Sequence, residues 1–126
     1  FPGASMESLD FNRHDLGSLA RSAQEGIAFA MVYGAHVMTQ LGVDLTRVRA
    51  GQANLFQSEV FRQAFVNTLK TQLELVATNG AEGAARGAGV GIGLYSNLPD
   101  AFHNLKPVYR QEPNLELVNA YEDAYE

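Results

Sequence analysis

The residue types best placed to do chemistry in this chain fall in one turn, Gly51-Gln52-Ala53-Asn54. Gly51 gives the backbone freedom to bend, and the side chain of Ala53 is too small to keep a flat ring away. Before the turn, Val48–Ala50 reads as a short apolar strand. After it, Ser58 is placed to cap an amphipathic helix, because its oxygen can accept from the free N–H groups of a first helical turn. A strand that stops at small residues and hands over to a helix exposes bare backbone and points amide donors at a ligand. The same pattern also serves as a plain βα connection with no ligand, so the turn alone leaves both readings open.

Other chemistries lack their residues. His14, His36 and His103 are far apart and have no carboxylate at ligand spacing, so no metal site is expected. Asp15 is adjacent to His14, but successive side chains point in different directions, and Asp15 is needed as a helix cap. No Gly-x-Ser-x-Gly elbow and no P-loop occurs. Gly87-Ala88-Gly89-Val90-Gly91 looks superficially like a dinucleotide fingerprint. It falls inside a helical pattern with its third glycine misplaced. Glu25 sits mid-helix and is read as a solvated carboxylate, since unpaired glutamates are rarely buried.

Composition narrows the class. The 126 residues, 46% hydrophobic, are expected to form one domain over 1–126 with a real core. A net charge of −5 and the lack of any basic run argue against nucleic acid as a partner. There is no cysteine, which removes disulfides and thiolate metal sites and fits a cytoplasmic setting. Charged residues interrupt each apolar stretch, which argues against a membrane span. The opening residues carry no signal-peptide pattern. They read Phe1-Pro2-Gly3 with no initiator methionine, so the sequence is expected to be a piece of a longer chain.

The elements that position the turn can be read in order. Phe1 to His14 is an irregular lead-in. Leu16–Leu41 repeats apolar residues at three-and-four spacing, with Asp15 as its cap and Gly42 at the left-handed C-terminal position. This helix would be roughly 39 Å long at 1.5 Å per residue. Its apolar content exceeds one stripe, which predicts cover on more than one side. Gln72–Thr78 alternates like a strand and is followed by an Asn79-Gly80 turn. A third helix is expected over Ala81–Leu94, with Gly83, Gly87 and Gly91 at four-residue intervals. Each interior glycine costs roughly 0.8–1 kcal/mol, so a neighbouring backbone or a ligand should lie against that face. Ser96–Pro113 reads as loop, and Asn114 as the cap of a short final helix.

Helix and strand alternate, which implies an α/β fold with parallel strands joined by crossover helices. Two such strands would leave both sheet edges bare, so further strands are expected from chain outside this sequence.

Three blocks together resemble the C-terminal end of the FGGY carbohydrate kinases, and within that family the xylulokinase branch. They are SLDFNRHDLGSLARSAQEGIAFAM, VRAGQANLFQSEVFRQAF and ELVATNGAEGAARGAGVGIGLY, in the family's order and covering most of Leu9 to Tyr95. The resemblance implies a fragment of an actin-like, ribonuclease-H-like ATPase lobe. The complete enzyme would move the γ-phosphoryl group of ATP to a sugar such as D-xylulose, with Mg2+ and an aspartate base. By position, Gly51, Gln52, Ala53 and Asn54 would line the adenosine, and Gln57 would reach the base or ribose. Many members carry a run of glycines where this chain has Gly51-Gln52-Ala53-Asn54. The catalytic aspartate, phosphate loops, metal site and sugar-binding lobe would lie in preceding sequence. On this reading the chain has no catalytic residue of its own, and assembly as a homodimer is allowed. Two other classes compete: a stand-alone ligand-binding or interaction module, and a piece of another nucleotide-dependent enzyme such as a dehydrogenase, for which the fingerprint turn is missing.

Overall fold

A computed structural model describes residues 4–126, so Phe1, Pro2 and Gly3 of the lead-in lie outside it. The elements are helix α1 (Leu16–Gln40), strand β1 (Arg47–Gly51), a 3-10 turn (Asn54–Gln57) and helix α2 (Glu59–Leu69). Strand β2 (Gln72–Val76), helix α3 (Gly80–Gly91), the short helix α4 (Leu98–Phe102), strand β3 (Pro107–Gln111) and helix α5 (Val118–Tyr125) complete the order.

Capping sets the ends of the two main helices. The Asp15 carboxylate accepts from the Ser18 N–H at 2.8 Å and starts α1. Gly42, at φ +87°, lets the chain turn back so that its N–H reaches the Thr39 carbonyl, and the Val43 N–H reaches Met38. Ser58 caps α2 as its sequence position predicts, accepting from the Phe61 N–H at 3.4 Å.

The sheet has the order β1-β2-β3. β1 and β2 are parallel, with Val48 opposite Leu73 and Gly51 opposite Val76, and α2 is the crossover between them. The core lies on the α2 side. Phe61, Phe65 and Leu69 form the expected buried stripe at i, i+4 and i+8. They cluster with Leu73 and Leu75 of β2 and with Ala28, Val32 and Ala35 of α1.

Four expectations are corrected. Ser96–Pro113 is not all loop. Pro99 sits in the first turn of α4, where proline is tolerated, and Val108–Gln111 pairs antiparallel with β2 as an edge strand begun by Pro107. Asn114 does not cap α5; its side chain accepts from the Glu116 N–H in a tight turn, and the helix starts at Val118. The glycine face of α3 carries no abutting element: a Cβ at Gly83, Gly87 or Gly91 would meet nothing within 4 Å. The packed glycine is Gly89, whose Cβ would strike the Tyr95 ring at 2.8 Å. Finally, the cover of α1 is incomplete. Val32 of its second apolar stripe is buried and Phe29 packs edge-on to Tyr121 and Tyr125 of α5, whereas Val37, like Ile27, Met31 and Met38 of the first stripe, is exposed.

Candidate functional site at the ends of the parallel strands

Gly51 ends β1, and the turn after it is held from several directions. The Gln52 N–H donates to the Val76 carbonyl at 2.9 Å, which ties the turn to the end of β2. The Ala53 N–H donates to the Gly51 carbonyl at 2.8 Å, and Ala53 leads in extended backbone into the 3-10 turn. Asn54 opens that turn at φ +52°, a left-handed conformation that asparagine tolerates. The conformational freedom assigned from sequence to Gly51 is therefore used at Asn54. Gly51 is required for space instead: a Cβ there would lie 2.6 Å from the Thr78 carbonyl oxygen and 3.6 Å from Asn79 Cα. That close approach brings together the two βα connections of the parallel pair, where open α/β sheets place ligands.

Gln52, Asn54 and Gln57 are exposed, while Gly51 and Ala53 are half-buried. All five residues expected to line a site thus share one end of the sheet. The second connection is built by Asn79, which caps α3 by accepting from the Glu82 N–H at 3.0 Å. Glu82 in turn accepts from Thr78 Oγ1 at 3.1 Å and Asn79 Nδ2 at 3.2 Å. Beside Gly51 a cavity of about 300 Å³ is lined by Arg49, Val76, Thr78, Phe102 and Leu105. A larger cavity of about 940 Å³ lies elsewhere, between the lead-in and α1, with Met6, Leu9 and Arg21 among its walls.

Several supporting residues escape the sequence reading. Phe56 drops from the turn into the core, edge-on to Phe61 at 5.3 Å and to Phe65 at 5.8 Å between ring centroids. Arg62 grips the turn from outside through the Phe56 and Gln57 carbonyls. Phe102 and Leu105 come from a stretch that reads as loop. Phe102 ends the short helix α4 and Leu105 follows it, and that helix is too brief to register as periodicity.

Two carboxylates are held by partners distant in sequence. Glu74, on the polar side of an alternating strand, is 2% exposed. Its oxygens accept from Arg49 Nε at 2.8 Å and Arg110 Nε at 3.1 Å, with Arg47 at 4.0 Å. The Arg49 hydrogen bond holds its carboxyl below the ordinary value, against the upward push of burial. Glu25 is not on a solvated face. It accepts from the Tyr121 hydroxyl at 2.9 Å and from Arg21 Nε at 2.9 Å, which fastens α5 to α1. Burial and Glu25 push the Tyr121 phenol up; Arg21 is raised by its bonds to Glu25 and Tyr121.

What could bind follows from the donor set. The turn offers neutral amide side chains at an exposed edge and a small residue at Ala53, which suits a nucleoside's ring and sugar better than its phosphates. Among the described residues no three histidine, aspartate or glutamate side chains gather to hold a metal. No described helix is long and apolar enough to cross a membrane.

No protein-family model and no curated protein matches the sequence. Solved structures do. The chain superposes on the xylulose kinase of Rhodospirillum rubrum with a TM-score of 0.71 and 24% identity, over 93% of this chain and 24% of that one. This chain has the fold of a sugar-kinase segment. Against the xyloylose (xylulose) kinase of Brucella ovis the TM-score is 0.75 at 25% identity, covering 96% and 25% of the two chains. The gluconate kinase of Lactobacillus acidophilus gives 0.73 at 19% identity, over 96% and 25%. These sugar kinases have the actin-like ATPase fold, as the three sequence blocks imply. The chain spans about a quarter of their length.

Proposed function

We propose that this chain is the nucleotide-binding C-terminal part of a cytoplasmic sugar kinase that phosphorylates a pentulose such as D-xylulose with ATP. The observation that carries the reading is the meeting of the two βα connections at Gly51, at the carboxyl ends of parallel strands, in a sugar-kinase fold. ATP with Mg2+ supplies the phosphoryl group; the metal, the catalytic base and the sugar are held by residues outside this chain. The part played by this chain is binding. The Gly51–Asn54 backbone and Gln57 seat the adenosine, and the open face of α3 at Gly83 leaves room beside it.

A stand-alone ligand-binding module is the second reading. It requires a sheet complete in itself, and two features of this structure oppose it. The parallel strand β1 is an edge strand, and α1 leaves Ile27, Met31 and Met38 exposed along one side. Both features suit a segment that packs against further polypeptide.

The test is calorimetric titration of the full-length polypeptide carrying this segment, first with a non-hydrolysable ATP analogue and then with D-xylulose. Ala53→Leu places a bulky side chain where the ring or ribose approaches. It should weaken nucleotide binding strongly and leave sugar binding nearly unchanged. Truncating Asn54 or Gln57 should cost roughly 0.5–1.5 kcal/mol per hydrogen bond lost. Unchanged nucleotide affinity in a folded Ala53→Leu protein would remove the turn from the site.

A further inference from the structure

The turn's exposed residues point outward from a loop of only four residues, whose own hydrogen bonding is thin: at its end the Ser58 N–H reaches the Leu55 carbonyl at 2.9 Å. Short 3-10 turns have poor hydrogen-bond geometry and leave carbonyls without partners at their ends. Here the Phe56 and Gln57 carbonyls both accept from one nitrogen, Arg62 Nη1, at 2.9 Å each. Arg62 belongs to α2, one turn beyond the cap, so a longer helix holds a short and weakly bonded one. Its guanidinium lies over the Tyr109 ring, 4.9 Å from the centroid, while its Nε is buried without an acceptor. No carboxylate pairs with Arg62 among the described residues. The two turn carbonyls and the ring therefore define where the group sits.

We propose that Arg62 is a positioning residue, which clamps the Asn54–Gln57 turn in the shape that presents Asn54 and Gln57 to a nucleotide, with Tyr109 as the platform that orients it. The inference rests on the reading of this turn as the nucleotide site. It gives β3, the strand missing from the sequence reading, a part in that site. The planar fork of arginine fits this role, because it can lie flat on a ring and still reach two carbonyls.

Amide hydrogen exchange and calorimetry with ADP and D-xylulose, on the full-length polypeptide, test this. Arg62→Met keeps the apolar stem and removes the donors. Exchange at the Ser58 amide should rise roughly 5- to 30-fold, the equivalent of one or two hydrogen bonds, with the Phe65–Leu69 amides unchanged. ADP affinity should fall several-fold and D-xylulose affinity should hold. Arg62→Lys should recover part of both effects, since an ammonium can reach the carbonyls but cannot stack. Tyr109→Ala, at an exposed edge position, should give a smaller change in the same direction and covers the case in which Arg62→Met does not fold. Turn exchange within two-fold of the parent in folded variants would overturn the clamp. So would an equal rise along α2, which would mark general loosening, or an unchanged ADP affinity beside a loosened turn. A parent protein that binds no ADP, with turn exchange still sensitive to Arg62, would refute the nucleotide reading while leaving the clamp standing.

Discussion

Gly51→Ala tests the junction on which the site is built. The added methyl carbon would sit 2.6 Å from the Thr78 carbonyl oxygen, which is 0.8 Å short of the 3.4 Å at which ordinary contact begins. The obstacle is backbone, so no side-chain rotation relieves it. The β1 end and the Thr78–Asn79 segment must part. The bond from the Gln52 N–H to the Val76 carbonyl spans the same gap and must lengthen with them. Overpacking of this kind costs about 1–3 kcal/mol. For a domain of this size each kcal/mol lowers Tm by about 3–6 °C. Urea denaturation of parent and variant measures the cost directly, with the midpoint falling at constant slope. Gly80→Ala is the control, because a Cβ there meets nothing within 4 Å. A loss below about 0.5 kcal/mol for Gly51→Ala would mean that the two connections do not touch, and the shared site would go with them.

Phe65→Ala should cost about 3–5 kcal/mol by the same denaturation assay, since Phe65 packs against Phe56 and Phe61 inside the core; a loss under about 1 kcal/mol would put the helix register wrong. Gly83→Ala should stabilise the chain by about 0.5–1 kcal/mol, because the helix gains alanine's propensity with no contact to disturb; destabilisation would reveal a neighbour against that face. Glu74 sets an acid limit. Its carboxyl is held below the ordinary glutamate value, so the stability it contributes is full above that value and is lost as pH falls through the lower, folded-state one. Glu74→Gln should flatten the acid side of the stability profile, and an unchanged slope there would show that the arginines do not hold it.

The parallel pair is legible because its strands and its crossover helix each carry their own pattern: Val48–Ala50, the Ser58 cap and the Phe61–Phe65–Leu69 stripe all stand where the structure has them. β3 is hidden. Val108, Tyr109 and Arg110 are all exposed, so no alternation of apolar and polar residues marks the strand, and Pro107 argues against one. Glu74 misleads for a related reason. Alternation in β2 suggests a wet face, but burial there is secured by arginines from two neighbouring strands, a relation across sequence separations of 25 and 36 residues that no local pattern records. Of the five residues proposed for the site, Gly51, Gln52, Ala53 and Asn54 stand out by type and spacing, whereas Gln57 enters only through the resemblance to the FGGY kinases. Arg62 does not stand out, because a helical arginine carries no mark of where its guanidinium goes.

Part of the apolar pattern of α1 is plain in the sequence yet has no cover in this structure. Ala28, Val32 and Ala35 face the core, while Ile27, Met31 and Met38 run along a different side of the same helix and are exposed. Isolated exposed apolar residues need no explanation, but a stripe repeated over the second half of a 25-residue helix is a face shaped for burial. The unpaired edge of β1 makes the same demand in hydrogen bonds that the stripe makes in apolar area. One added layer of sheet and helix could meet both. The solved sugar kinases are about four times as long as this chain, so they contain polypeptide enough to supply such a layer. The two bare features therefore support the proposal above, in which further polypeptide packs against this segment.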